Sequence, residues 1–60
     1  MIEIKILTLP EAAKVLSVHP QTLRQMVKKG KIPYLQFDRY YRFRVSDLVR
    51  WLESQLRGAT

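Results

Sequence analysis

The sequence has no cysteine, one histidine and only five acidic residues among sixty. Without thiols no disulfide can staple the fold and no thiolate can hold a metal. One imidazole and a few scattered carboxylates are too few for a structural zinc site. No stretch approaches the ~18 consecutive apolar residues of a membrane span. The start "MIEIKILTLPEAAK" also lacks the charged head and apolar block of a secretion signal. A cytoplasmic location with no membrane association is expected. A chain of this length encloses little pocket volume. His19, Asp38 and Asp47 have no neighbours suggesting a Ser-His-Asp or His-carboxylate pairing. No catalytic residues, enzyme activity, metal, cofactor or small-molecule ligand are expected.

What remains is a strongly basic chain. Eleven Lys and Arg face five Asp and Glu, for a net charge of +6 and a pI near 10.2. Such a balance suggests a polyanionic partner. The plainer reading is a soluble protein with surplus lysines, but the cations cluster: all except Lys5, Lys14 and Arg57 lie between Arg24 and Arg50. Hydrophobic content of 47% is that of a folded chain. Residues 1–60 read as one domain, without repeat or linker.

Ile2, Ile4 and Ile6 alternate with Glu3 and Lys5, the period of a half-buried strand. "TLPEAAKVL" then opens a helix: Thr8 and Glu11 have capping-box spacing, and Pro10 falls in the first turn. Leu9, Ala12, Ala13 and Leu16 form its apolar face. "SVH" is a tight turn with Val18 plugging the angle between two helices. The second helix, 20–29, starts at Pro20 with His19 or Ser17 as cap, and Gly30 stops it. Leu23, Met26 and Val27 face inward. Residues 34–45 read as a β-hairpin about "DRY", with Tyr41, Phe43 and Val45 on an apolar face and Arg42 and Arg44 on a cationic one. Its turn contains neither Gly nor Asn. In "SDLVRWLESQLRG" Ser46 is the expected cap of a third helix, Leu48, Trp51, Leu52 and Leu56 its buried stripe, and Gly58 its end.

Gln21, Arg24, Gln25 and Lys28 recur at i, i+3, i+4, i+7, opposite the apolar stripe of the second helix. A polar face is often merely wet. Here three features favour contact with nucleic acid. Arg can bond bidentately to guanine and Gln to adenine in the major groove. The helix follows another through a tight turn, the arrangement that places a second helix in that groove. And from Pro20 to Phe37 there is no acid, whereas a face selected for solubility mixes signs. The hairpin adds Arg39 at its turn and Arg42 and Arg44 on its second strand, placed for phosphates or a neighbouring minor groove. For Arg44 a solvated, charge-blunted sheet edge is an equal alternative. Tyr41 shares parity with Phe43 and is assigned to the core, which leaves Tyr40 outward.

The segments "LT..EAAKVL.V...TLR", "GKIP" and a hairpin ending "YRFRVSDL" resemble, in this order and spacing, the excisionase-type winged helix-turn-helix family, relatives of the MerR-like DNA-binding domains. The resemblance covers residues 7–54. It implies a mainly α fold with a small antiparallel sheet: a helix-turn-helix, a β-hairpin wing and a third helix. The extra N-terminal strand is expected to join the wing. By resemblance, Gln21, Thr22, Arg24, Gln25 and Lys28 face double-stranded DNA, with His19 and Pro20 at the helix start, and Arg39, Tyr40 and Arg42 sit on the wing. One departure concerns the wing turn, where the family's Gly is replaced by Asp38.

MerR-like regulators add a dimerisation helix and an effector domain, and these sixty residues hold neither. The resemblance therefore implies an excisionase-like architectural factor that bends DNA and directs a recombinase or integrase, with self-association on DNA. A small phage- or plasmid-type transcription regulator, the DNA-binding end of a transposase or recombinase, and a protein-interaction module using the Ile2, Ile4 and Ile6 strand or the third helix are the alternatives.

Overall fold

The computed structural model describes residues 5–58. In chain order they form β1 (Ile6–Thr8), α1 (Leu9–Leu16), α2 (Pro20–Lys28), β2 (Leu35–Phe37), β3 (Tyr40–Arg44) and α3 (Val45–Ser54). The three strands make one antiparallel sheet in the order β1-β3-β2. This is a winged helix-turn-helix, a mainly α fold with a small antiparallel sheet, as the motif order implies.

Local chemistry sets the helix ends. At the start of α1 the Glu11 N–H donates to Thr8 Oγ1 at 3.3 Å and the Thr8 N–H donates to Glu11 Oε1 at 2.8 Å, completing the capping box. The backbone bond from Thr8, then the Thr8 side chain and, after a small opposing desolvation, the charge of Arg42 hold the Glu11 carboxyl below the ordinary glutamate value. α1 closes with the Val18 N–H on the Ala13 carbonyl and the Ser17 N–H on that of Lys14, which turns Ser17 to φ 59°. α2 closes the same way: the Lys31 N–H reaches the Met26 carbonyl and the Gly30 N–H that of Val27, with Gly30 at φ 68°. Both are Schellman ends, and only the second has the residue that adopts positive φ without strain.

The core draws on every helix, on β3 and on the connection after α2. Leu9, Ala12, Ala13, Leu23, Val27, Ile32, Phe43 and Leu48 are buried together, with Val18, Met26, Tyr41 and Trp51 packed around them. Phe43, Leu23 and Leu48 are its largest fully enclosed side chains. The two alanines of α1 are both fully buried. Trp51 is half-buried, and its indole N–H donates to the Lys31 carbonyl at 2.8 Å. That bond ties α3 to the segment between α2 and the wing.

The strand expected at the N-terminus is β1, and it joins the wing on β3, with Ile6 opposite Arg44, Leu7 opposite Phe43 and Thr8 opposite Arg42. Ile2 and Ile4 of the expected alternation lie outside the described residues. Two expectations are corrected. Ser46 does not cap α3: the cap lies two residues earlier, at Arg44, which makes no side-chain cap bond, and the helix begins at Val45. The cause is the Val45 N–H, which donates to the Lys5 carbonyl at 3.0 Å, so that the chain passes from sheet to helix with no intervening turn. Val45 thus belongs to the helix rather than the hairpin. Second, the apolar stripe of α3 is only partly buried. Leu52 is 44% and Leu56 70% exposed, and the helix stops at Ser54, ahead of Gly58. Leu48 and Trp51 already meet the core, and among the described residues no further element covers the next turn.

Candidate nucleic-acid interface

The turn between α1 and α2 leads straight into α2. His19 is its cap, deciding between the two candidates: His19 Nδ1 accepts the Gln21 N–H at 3.1 Å. Pro20 takes the first helical position, where it has no N–H to leave unpaired. With Leu23 and Val27 buried and Met26 half-buried, the helix orientation is fixed. Gln21, Thr22, Arg24, Gln25 and Lys28 are all exposed. At 100° per residue, the two Gln, Arg24 and Lys28 fall within about 100° of arc, with Thr22 about 60° beyond it on the side of Gln25. Among the described residues none of these five side chains is held by an internal hydrogen bond or ion pair. Their donors and acceptors face solvent.

Six residues separate α2 from β2, so the wing begins within about 25 Å of the end of α2 even at full extension. In the wing, Leu35 lies opposite Arg42, Gln36 opposite Tyr41 and Phe37 opposite Tyr40. Side chains alternate across a sheet. Tyr41 and Phe43 face the core, and Tyr41 meets Tyr34 edge-on at 5.4 Å. Tyr40, Arg42 and Arg44 therefore share the outer face. Arg42 is half-buried there: its guanidinium donates to the Tyr41 carbonyl at 2.9 Å and stands 5.6 Å from the Tyr40 ring centroid. Tyr40 is exposed, as is Arg39 at the turn.

Arg44 is placed differently. Its Nε and Nη2 bond the two Asp47 carboxylate oxygens at 2.7 and 3.2 Å. Sequence reasoning left Asp47 without a partner. The i,i+3 spacing across a strand-to-helix junction is the available signal, but it depends on where the helix begins, two residues before the start that a Ser46 cap implies.

The wing turn forms without glycine. Asp38 and Arg39 are a two-residue loop between Phe37 and Tyr40, with Asp38 at φ 58°. Positive φ at the first loop residue suits a tight hairpin, and Asp tolerates it better than most residues. The Gln36 side-chain amide donates to the Asp38 carbonyl at 3.2 Å and braces the loop. Asp38→Gly should therefore keep the hairpin, with stability unchanged within about 1 kcal/mol as relieved φ strain offsets added freedom of the unfolded chain. It also removes the one acid beside Arg39. DNA affinity should rise at low salt by on the order of 1 kcal/mol, one near-contact charge interaction in water, and the gain should fade as salt is raised. Titration at two ionic strengths checks this; weaker binding would show that the carboxylate itself makes a contact.

No helix among the described residues is long and apolar enough to cross a membrane. Comparison with curated proteins and with solved structures gave no significant match. The family model described as a helix-turn-helix domain matches residues 6–56, which takes in both helices of the motif, the wing and all of α3. The match supports DNA binding by the helix-turn-helix, and with it the geometry of α2 and the wing acquires a name: the chain belongs to the helix-turn-helix domain family of excisionase type.

Proposed function

We propose that the protein binds double-stranded DNA sequence-specifically, with α2 in the major groove and the hairpin as a wing on the flanking backbone. The observation that carries this reading is the exposed face of α2: acid-free, preceded by a tight turn, and with the side chains of Gln21, Arg24, Gln25 and Lys28 making no hydrogen bond or ion pair among the described residues. In it, Arg24 and Gln25 read base edges, Gln21 and Thr22 assist, and Lys28 holds phosphate. His19 and Pro20 fix the helix start, and Arg39, Tyr40 and Arg42 contact the backbone through the wing. Arg44 acts mainly by positioning, because Asp47 offsets its charge.

The test is selection of sites from a random duplex pool, followed by the variant Arg24→Ala. Loss of a bidentate base contact should cost roughly 1–3 kcal/mol and relax preference at one base pair. An equal loss on every sequence would move Arg24 from base reading to phosphate holding.

The finer role proposed is that of an excisionase-like architectural factor, acting on adjacent sites with a recombinase. Family type supports it, as does the exposed apolar surface at Val15, Val49, Leu52 and Leu56, which a neighbouring protein on DNA would cover. Footprints in tandem arrays would agree with it. One isolated palindrome would favour the transcription-regulator alternative.

A further inference from the structure

Phe37 is absent from every role assigned above, yet it is 55% exposed at the tip of the wing. It lies opposite Tyr40, itself 56% exposed, so the two rings share the outer face and flank the two-residue loop. An exposed large aromatic pair is more informative than a single exposed leucine. Its surroundings say what covers it. Arg39 is in the loop and Arg42 stands against the Tyr40 ring. Among the described residues the nearby acids are Asp38 in the loop and Glu11, whose carboxylate is turned to the Thr8 N–H. An apolar protein partner has no use for cations at this edge, whereas a nucleobase between phosphates matches both the rings and the guanidinium groups.

The extent of the aromatic surface fixes the form of the ligand. Behind the tip, the outer face continues as Leu35, Thr8, Ile6 and Arg44, with no further ring. A track for single strands needs a row of stacking side chains. One pair at a hairpin tip fits one base step.

We propose that Phe37, supported by Tyr40, is an aromatic wedge that stacks into a base step of the bound duplex, unstacking and kinking it where the wing crosses. This rests on the duplex-binding reading. Arg42, within cation–π distance of the Tyr40 ring and bonded to the Tyr41 carbonyl, stiffens the wedge from behind. Pyrimidine–purine steps such as TA and CA unstack most easily, so the wedge selects them at a position that α2 does not read.

The experiment uses the full chain and a duplex selected by it from a random pool, read by hydroxyl-radical protection and by permanganate, which oxidises unstacked thymine. The wild type should show a hyper-reactive thymine at one edge of its footprint. Phe37→Ala should abolish that signal and weaken binding about 5- to 100-fold, the range of one lost base stack. With protein concentration raised to compensate, the rest of the footprint should be retained. Phe37→Trp should restore the signal, and thermal melts of both variants should match the wild type because the site is exposed. A full footprint with no reactive thymine, or one that Phe37→Ala leaves intact, overturns the wedge and leaves the duplex reading standing. Tighter binding to either separated strand overturns the wedge in favour of a single-strand platform. Absence of protection on any duplex overturns the reading beneath it.

Discussion

Phe43→Ala should leave most of the chain unfolded at physiological temperature. Phe43 is fully buried on β3, the middle strand, opposite Leu7 of β1, and belongs to the cluster that all three helices share. Truncating a buried Phe costs about 3–5 kcal/mol, as transfer free energy plus an unfilled cavity. Domains of this length have roughly 3–9 kcal/mol in total. At about 4–8 °C per kcal/mol for a small domain, the midpoint should fall by roughly 12–40 °C. Circular dichroism melts with Trp51 fluorescence alongside check it: Trp51 packs on the same cluster, so both signals should move together. DNA should partly rescue the variant by mass action. A midpoint within a few degrees of the wild type would mean that β3 is not registered as described. Phe37→Ala is the internal control. Phe37 is on the outer face of the same hairpin, where truncation should stay within about 0.5 kcal/mol.

That contrast also shows where the sequence was informative. The inward parity of Tyr41 and Phe43 was legible because β3 alternates aromatics with arginines, and a one-residue slip would bury the arginines. The capping box at Thr8 and Glu11, and Gly30 after Lys29, were legible because few residue types satisfy a helix end. Signals weakened where tertiary contacts decided. Ser46 is chemically the better cap, but the Val45 N–H bonded to the Lys5 carbonyl starts α3 earlier. Leu52 and Leu56 have core spacing, yet burial depends on what lies opposite, and periodicity within one helix carries no such information. Of the candidate site, the exposure of the α2 polar face could be read, since one amphipathic helix fixes both its faces. The wing could be read less well. Exposure of Phe37 follows only once the loop is known to be Asp38-Arg39, and that turns on an Asp adopting the φ usually left to Gly.

DNA affinity should fall steeply with salt, and the slope tests the charge assignment residue by residue. If Lys28, Arg39, Arg42 and two neighbouring lysines neutralise about five phosphates, log K should fall against log salt with a slope near −4 to −5. From 50 to 200 mM salt this is roughly a 250- to 1000-fold loss. Each cation then has its own signature. Arg39→Ala should reduce the slope by about one, as should Lys28→Ala, with weakening nearly uniform across sequences. Arg44→Ala should leave the slope close to that of the wild type, because Asp47 already neutralises Arg44 in the free protein and no counterion is displaced from DNA on its account. Exposed ion pairs are worth only about 0–1 kcal/mol, so Asp47→Ala should free Arg44 at little cost in stability and steepen the slope. Equilibrium titrations across salt, on one selected duplex and one scrambled duplex, read all of these. A slope shallower than about −2, or one that Arg44→Ala lowers as much as Arg39→Ala, would mean that the cations of the wing and α2 do not meet the backbone as assigned.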